Sequence, residues 1–435
     1  MEKVSTKIRE RKQSMTKIKD LEWFCPQPFM NAVVNHDRVT KPCCVLKSWP
    51  NRKIKESGKN SVMDVHQSQL MKDFRKEFLE GGGPLTEKFC LVCKEQEKHS
   101  KTESHRLMYA DKFDEEHGEY REHTTALEEY IDTDHSEPFY LTMEYNAPNN
   151  FCNLKCNMCG PFNSSTYAKE NEAIGITEGM TSHWLGGRTW VNEEDDMNQY
   201  TDVLKNLIEL KLVGGETLAL PQNYEMMDHA IEMGVSKQMR LVMTTNATLT
   251  PKMGKLGDVF EYVQHFKDCQ INVSVECWGE KNNYIRFPSK WPKIMENVKR
   301  FAKLPRTKIL FATCVSSLNV GYLHEVADGV DELRSVEPEV YNNFATGSLV
   351  IGGDNLYTIA TIPEDIREFY IDKIYNQSKP QHSTTFMKLI SYLTETPFDQ
   401  SLHDRMMIDV AKRDKFRKTC LTDVFPEWKP YYEKL

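Results

Sequence analysis

The sequence predicts an α/β protein built on a partial, TIM-like (β/α)6 barrel, and two observations carry that expectation. From residue 138 onward, short apolar runs alternate with helical stretches. Each run ends in a polar or glycine-rich turn, as strands of a parallel sheet do. The runs are Phe139–Tyr145, Leu210–Val213, Arg240–Thr244, Ile271–Cys277 and Ile309–Val315, with a sixth at Val340–Phe344 or Ser348–Ile351. The helical stretches between them are Pro221–Met233, Lys255–Phe266, Pro292–Leu304 and Tyr322–Leu333. Five or six such units are too few for a closed eight-stranded barrel and suit a partial, curved one, whose functional residues belong at the C-terminal ends of the strands.

The rest of the chain divides by composition. Residues 1–20 are a basic tail with Lys3, Lys7, Arg9, Arg11, Lys12, Lys17 and Lys19. Its expected state is a solvated end rather than a nucleic-acid arm. Residues 21–110 carry five cysteines and little regular periodicity, and the acidic stretch 111–137 reads as a linker with a short helix near Leu127. The barrel is expected over 138–360. A helical extension follows over 361–435, with cores at Ile366–Ile374, Thr385–Leu393 and Arg405–Arg413 and an aromatic tail, Phe425 to Tyr432, that packs back on the body.

A net charge of −8 argues against a nucleic-acid partner. No apolar run is long enough to span a membrane, and the first residues lack an apolar signal core. These features point to the cytoplasm, where the twelve cysteines read as metal ligands or buried thiols rather than disulfides.

Three of those cysteines, Cys152, Cys156 and Cys159, share one short loop at spacing C-x3-C-x2-C. Three thiolates so placed can hold three irons of a 4Fe-4S cluster and leave the fourth open to bind and reduce something, whereas clusters that only carry electrons normally use four cysteines. A zinc knuckle would need a fourth ligand nearby, and the next Cys or His downstream is His183. After the second strand comes Val213-Gly-Gly-Glu216. Two glycines there admit a ligand close to the backbone, and the carboxylate suits an ammonium group. The third strand ends in Thr244-Thr245-Asn246 and the fourth in Ser274-Val-Glu276, polar groups suited to ribose hydroxyls. Taken singly, each of these is as well explained by a turn or a helix cap.

Together these motifs resemble radical S-adenosylmethionine (SAM) enzymes over about residues 138–320. The resemblance implies that Cys152, Cys156 and Cys159 ligate a 4Fe-4S cluster whose open iron chelates the methionine end of SAM. Reductive cleavage then yields a 5′-deoxyadenosyl radical that abstracts hydrogen from a substrate. It also implies that Gly214, Gly215 and Glu216 hold the methionine amino group, while Asn246, Ser274 and Glu276 face the ribose and carboxylate. The residue before the third cysteine is usually aromatic in this family and lies on the adenine. Here it is Met158, whose thioether can pack on an adenine face. Arg286, after the fourth strand, suits either the SAM carboxylate or an interior salt bridge.

A second cysteine set precedes the barrel: Cys25-Pro-Gln-Pro-Phe29, then Pro42-Cys43-Cys44, then Cys90-Leu-Val-Cys93. Four thiolates from Cys25, Cys43 or Cys44, Cys90 and Cys93 would fully ligate a second cluster or a zinc ion, and spacing alone does not separate the two. The region resembles the auxiliary-cluster modules called twitch and SPASM, with Ser104-His105-Arg106 in the Ser-x-Arg slot and Arg38 where glycine is usual. That resemblance favours a second Fe-S cluster, of 4Fe-4S type, and Cys43 over Cys44. The module usually follows the barrel. It precedes it here, as in a group of twitch-domain radical SAM proteins, some from phages.

The resemblance implies three sorts of partner: SAM, an external electron donor of flavodoxin or ferredoxin type, and a substrate. The leading expectation for the substrate is a peptide or protein side chain. A small amino-sugar-like alcohol is the alternative within the family, and a non-catalytic Fe-S or zinc-binding protein is the alternative outside it. Cys269, Cys277, Cys314 and Cys420 match no pattern and are expected as buried, inert thiols. Gly81-Gly-Gly-Pro84 is expected as a turn, since no Lys-Ser/Thr follows it.

Overall fold

Short runs, most of them rich in Val, Ile, Leu, Met and Phe, supply a mostly parallel sheet of eight strands, and the class is α/β with a helical C-terminal part. The structure, a computed structural model, describes residues 16–35, 39–46, 49, 62–99, 104–176, 195–345 and 356–434. The strands are β1 (Asn31–Val34), β2 (Thr40–Lys41), β3 (Thr142–Asn146), β4 (Glu209–Val213), β5 (Arg240–Thr245), β6 (Asp268–Ser274), β7 (Thr307–Cys314) and β8 (Val340–Ala345). The alternative sixth strand at Ser348–Ile351, the residues before Thr16, Arg38 and His183 lie outside the described residues. The chain divides into two compact units, Met1–Asn146 with Asp195–Lys211, and Ala147–Glu194 with Leu212–Leu435.

In the first unit β1 runs parallel to β3, with Asn31 opposite Thr142, and antiparallel to the short β2. Neither β1 nor β2 is anticipated from the sequence. Nor are the five helices Val62–Gln67, Gln69–Leu79, Pro84–Phe89, Leu91–His99 and His105–Asp111. Most have fewer than three turns, too few to print a clear 3.6-residue period. In Gln69–Leu79, Ser68 caps the start by accepting from the Met71 amide at 3.3 Å. Met71, Phe74 and Phe78 then fall on one buried face. Gly81 and Gly82 take positive φ values of 84° and 119°, and Pro84 opens the next helix, so Gly81–Pro84 is a turn.

The acidic stretch 111–137 corrects the expectation of a linker. Phe113, Tyr120, Leu127, Tyr130 and Ile131 join the core of this unit together with Phe29, Phe74, Phe78 and Phe89. Leu127, Tyr130 and Ile131 stand at i, i+3, i+4 on the helix Thr124–Ile131, so few aliphatic residues suffice when they share a face. Glu128 is buried among them and binds the Lys17 ammonium at 2.6 Å and the Ile18 amide at 3.2 Å, which pins the end of the basic segment.

The second unit holds β5 to β8 in parallel register, Thr244 opposite Asn272, Asn272 opposite Leu310 and Leu310 opposite Tyr341. Along β6 the residues alternate strictly: Cys269, Ile271 and Val273 are buried, while Asp268, Gln270, Asn272 and Ser274 form a polar, half-buried face. β6 begins and ends three residues before the expected Ile271–Cys277, because Glu276 already turns into a loop and its amide donates to Asn282 Oδ1 at 2.9 Å. The helix expected at Lys255–Phe266 is shorter, Val259–Gln264, since Gly254 and Gly257 sit at positive φ and Asp258 caps the start.

The C-terminal helices Glu364–Gln377, Ser383–Glu395 and Gln400–Arg417 exceed their predicted cores at both ends. Phe425 and Trp428 of the aromatic tail are fully buried in the core of this unit, and the Trp428 indole donates to the Tyr370 hydroxyl at 2.9 Å. No helix among the described residues is long and apolar enough to cross a membrane.

Candidate radical site and cysteine cavity

The loop that carries Cys152, Cys156 and Cys159 is shaped by its own polar residues. Asn149 Oδ1 accepts from the Phe151 amide at 2.9 Å, an Asx turn that starts the loop. Ser164 Oγ donates to the Leu154 carbonyl at 2.8 Å, and Thr166 Oγ1 donates to the Cys152 carbonyl at 2.7 Å. On its other side the loop pairs with the segment after β6. The Lys155 amide donates to the Phe287 carbonyl at 2.6 Å and the Asn157 amide to the Ile285 carbonyl at 2.8 Å.

Cys152 and Cys156 are buried and Cys159 is half-buried. Burial pushes all three thiols above their ordinary range, Cys159 to about 12, and the neighbouring thiols push Cys152 and Cys159 further the same way. At Cys156 the charges of Arg286 and Arg417 pull in the opposite direction. Three thiolates crowded this way are costly without a cationic centre between them, which is the donor set an iron–sulfur cluster satisfies.

Gly214, Gly215 and Glu216 meet this loop backbone to backbone. Gly214 has φ 141°, and the Glu216 amide donates to the Phe151 carbonyl at 2.8 Å. A Cβ on Gly215 would stand 2.2 Å from that same carbonyl oxygen. Gly215→Ala is therefore expected to destabilise the second unit by about 1–3 kcal/mol, because both colliding groups are backbone. Denaturant unfolding checks it, and a change under about 0.5 kcal/mol would count against the tight contact.

The Glu216 carboxylate is buried and accepts from the Leu218 amide at 3.1 Å, the Asn246 amide at 2.8 Å and the Thr245 hydroxyl. Burial raises its pKa, against the pull of these donors and of Arg286. Three donors leave room for about one more on a carboxylate with roughly four acceptor sites. Asn246 is bound in turn to Asn153 Oδ1 at 3.0 Å, and its amide nitrogen stands 4.0 Å from Cys152 Sγ.

Glu276 is also buried. Arg286 Nη1 donates to one of its oxygens at 2.6 Å and the Cys314 amide to the other at 2.8 Å. Of the two roles open to Arg286, the interior ion pair is thus present, and its Nε has no partner among the described residues. Ser274 lies half-buried on the polar face of β6, at its end. Met158 packs against Cys152, Leu154 and Cys156 and against the C-terminal core. Cys269 and Cys277 are buried as expected, but Cys314 and Cys420 are half-buried. Cys314 is the last residue of β7, on its less buried face, where strand alternation turns it away from the helices.

Sequence reasoning misses a buried ion network that reaches the loop from the helix Gln400–Arg417. Arg413 donates to Asp409 at 2.8 Å, Glu170 at 2.7 Å, the Tyr167 hydroxyl at 2.7 Å and Asn171 at 2.9 Å. Arg417 donates to Glu170 at 2.6 Å, Asn157 Oδ1 at 2.5 Å and the Lys155 carbonyl at 2.6 Å. The only trace in the sequence is a pair of arginines at i, i+4, a spacing common on solvated faces.

In the first unit, Cys25, Cys43, Cys90 and Cys93 line a single cavity, with Phe74 and Phe78 among its apolar walls. Burial raises the Cys25 and Cys90 thiols, Cys90 to about 12, and the neighbouring Cys93 adds to both shifts. Cys44 does not line the cavity and stands 3.5 Å from His105 Nε2. Cys43, Cys44 and His105 place their ligand atoms within 4.8 Å of one another. Arg106 closes this corner. It donates to both oxygens of Glu97 at 2.9 and 2.8 Å and to the Phe24 carbonyl, next to Cys25, at 2.9 Å. The fourfold lining suits a fully ligated centre.

Residues 146–331 match the family described as the Radical SAM superfamily, the class of protein that this fold and loop resemble. No curated protein matches the chain. Among solved structures, the chain is similar to histidine-tagged anSMEcpe with bound AdoMet, at 15% identity and TM-score 0.37, covering 60% of this chain and 61% of that one. It is also similar to Streptococcus suis SuiB bound to S-adenosylmethionine, at 17% identity and TM-score 0.30, covering 59% of this chain and 49% of SuiB. A third similarity is to TYW1 with a lysine-pyruvate adduct bound, at 12% identity and TM-score 0.27, covering 59% of this chain and 72% of that one. The chain thus spans about three fifths of anSMEcpe and half of SuiB.

Proposed function

We propose that this protein is a radical SAM enzyme that takes hydrogen from a peptide or protein side chain, with an auxiliary Fe-S cluster in its N-terminal unit. The observation that carries the reading is the backbone contact of Gly215 and Glu216 with Phe151, which sets a SAM-type Gly-Gly-Glu turn directly against the three-cysteine loop. A 4Fe-4S cluster held by Cys152, Cys156 and Cys159 would supply the electron that cleaves SAM to methionine and a 5′-deoxyadenosyl radical.

The chain's own residues bind and orient. The free acceptor site on Glu216 and the open backbone at Gly214 and Gly215 receive the methionine ammonium. Asn246 and Ser274 present hydrogen-bonding groups to the ribose, and Met158 offers a soft apolar wall to the adenine. Glu276 holds Arg286 beside the cysteine loop, and the unpartnered Nε of Arg286 is suited to the SAM carboxylate. The peptide substrate follows from the resemblance of the N-terminal cysteine set to twitch and SPASM modules, and the electron comes from a donor of flavodoxin or ferredoxin type.

Anaerobically reconstituted protein given SAM and dithionite is expected to form 5′-deoxyadenosine; clusters intact with none of that product would overturn the reading. The N-terminal site has its own test. Cys43→Ser is expected to lower iron by about four per chain, whereas Cys44→Ser leaves it unchanged, because Cys43 and not Cys44 lines the cavity. Loss of iron in Cys44→Ser alone would reverse the ligand assignment.

A further inference from the structure

We propose that Arg417 is the positioning residue of the three-cysteine loop: it fixes the course of the chain on both sides of Cys156 and raises the reduction potential of the cluster held there. The inference rests on the radical SAM reading.

The geometry is specific to one guanidinium. Arg417 is the last residue of its helix, and the chain leaves at Lys418 with φ 58°. Its Nη2 reaches the Lys155 carbonyl and its Nη1 the Asn157 side chain, so the two neighbours of Cys156 are gripped by the two arms of one planar fork. The side chain is 3% exposed, so these bonds compete little with water. The Phe287 ring lies 5.0 Å from the guanidinium, against the segment that pairs with the loop.

A merely structural ion pair would not need this residue. Arg413 already neutralises Glu170 at 2.7 Å, and Lys155 adds a third cation at 3.5 Å. The network therefore holds three cations, Lys155, Arg413 and Arg417, against two carboxylates, Glu170 and Asp409. These five groups thus carry one surplus positive charge, and Arg417 among them also bonds to both neighbours of Cys156. Arg286 also stands near the thiols, but Glu276, paired with it at 2.6 Å, offsets its charge there. An iron–sulfur cluster gains negative charge on reduction, so a fixed buried cation beside it favours the reduced form.

The test uses the full chain, with Arg417→Met and Arg417→Lys. Amide hydrogen exchange at Lys155 and Asn157, in metal-free protein, reads the grip on the loop without any cluster. A redox titration followed by electron paramagnetic resonance reads the potential of the loop's cluster. Arg417→Met is expected to speed exchange at those two amides at least tenfold and to lower the midpoint potential by about 59 mV, a tenfold change in the reduced fraction for one electron. Arg417→Lys keeps the charge and loses the fork, so it is expected to keep the potential and still exchange fast. Wild-type exchange in Arg417→Lys overturns the positioning role, and serves also if Arg417→Met fails to fold. An unchanged potential in iron-loaded Arg417→Met overturns the electrostatic role. A wild-type chain that takes up no cluster on the loop overturns the proposed function and the effect on potential, while the metal-free exchange rates still decide the positioning role.

Discussion

Cys152→Ala is expected to abolish 5′-deoxyadenosine formation and to lower iron from about eight to about four per chain, the second figure being the share of the N-terminal centre. Two remaining thiols on a loop this short cannot hold a cluster that three would leave with one open iron. Cys25→Ala is expected to give the same fall in iron and yet to spare part of the SAM cleavage, because its cavity lies in the other unit. The pair of variants separates a cluster that performs the cleavage from one that assists it. Iron analysis with product quantification reads both quantities in one preparation. Equal loss of product in the two variants would assign the N-terminal centre a structural role.

Arg413→Ala should be the most destabilising single replacement in the second unit. Glu170 is 0% exposed at its side chain and Asp409 is 6% exposed. Removing the guanidinium leaves Asp409 with a buried charge and leaves Tyr167 and Asn171 without their donor. Breaking one side of such a buried pair costs roughly 3–5 kcal/mol, far more than an exposed ion pair contributes. Arg413→Lys retains charge but cannot reach four partners at once, and should fall between wild type and alanine. Urea unfolding at constant slope checks the order. A loss under about 1 kcal/mol in Arg413→Ala would mean that the network relaxes around water.

The two halves of the chain differ in how far the sequence discloses them. Strands β5 to β7 are legible because buried residues recur along each of them and helical stretches separate them, so hydrophobic spacing and chain order agree. β1 and β2 are short, and what makes β1 a strand is its pairing with β3, over a hundred residues later in the chain. The acidic stretch misleads because composition is averaged over its length, whereas burial depends on where Leu127, Tyr130 and Ile131 fall on one turn. At the candidate site, the three cysteines and Gly-Gly-Glu are visible because each motif is local. Arg286 is visible too, ten residues after Glu276, but which of its two roles it takes is not. The arginines that hold the loop are not visible: they come from a distant segment, and nothing in their spacing marks them as buried.

The grip of Arg417 on Asn157 spans 260 positions of sequence. At a synthesis rate of about 5–20 residues per second, the cysteines precede that arginine from the ribosome by roughly ten to fifty seconds. During that interval the three thiols sit on a nascent loop that lacks the two bonds from Arg417. On the proposed function, iron loaded into a settled site would have to wait for the final long helix. A stalled or truncated chain would display the cysteines without the shape that makes them selective.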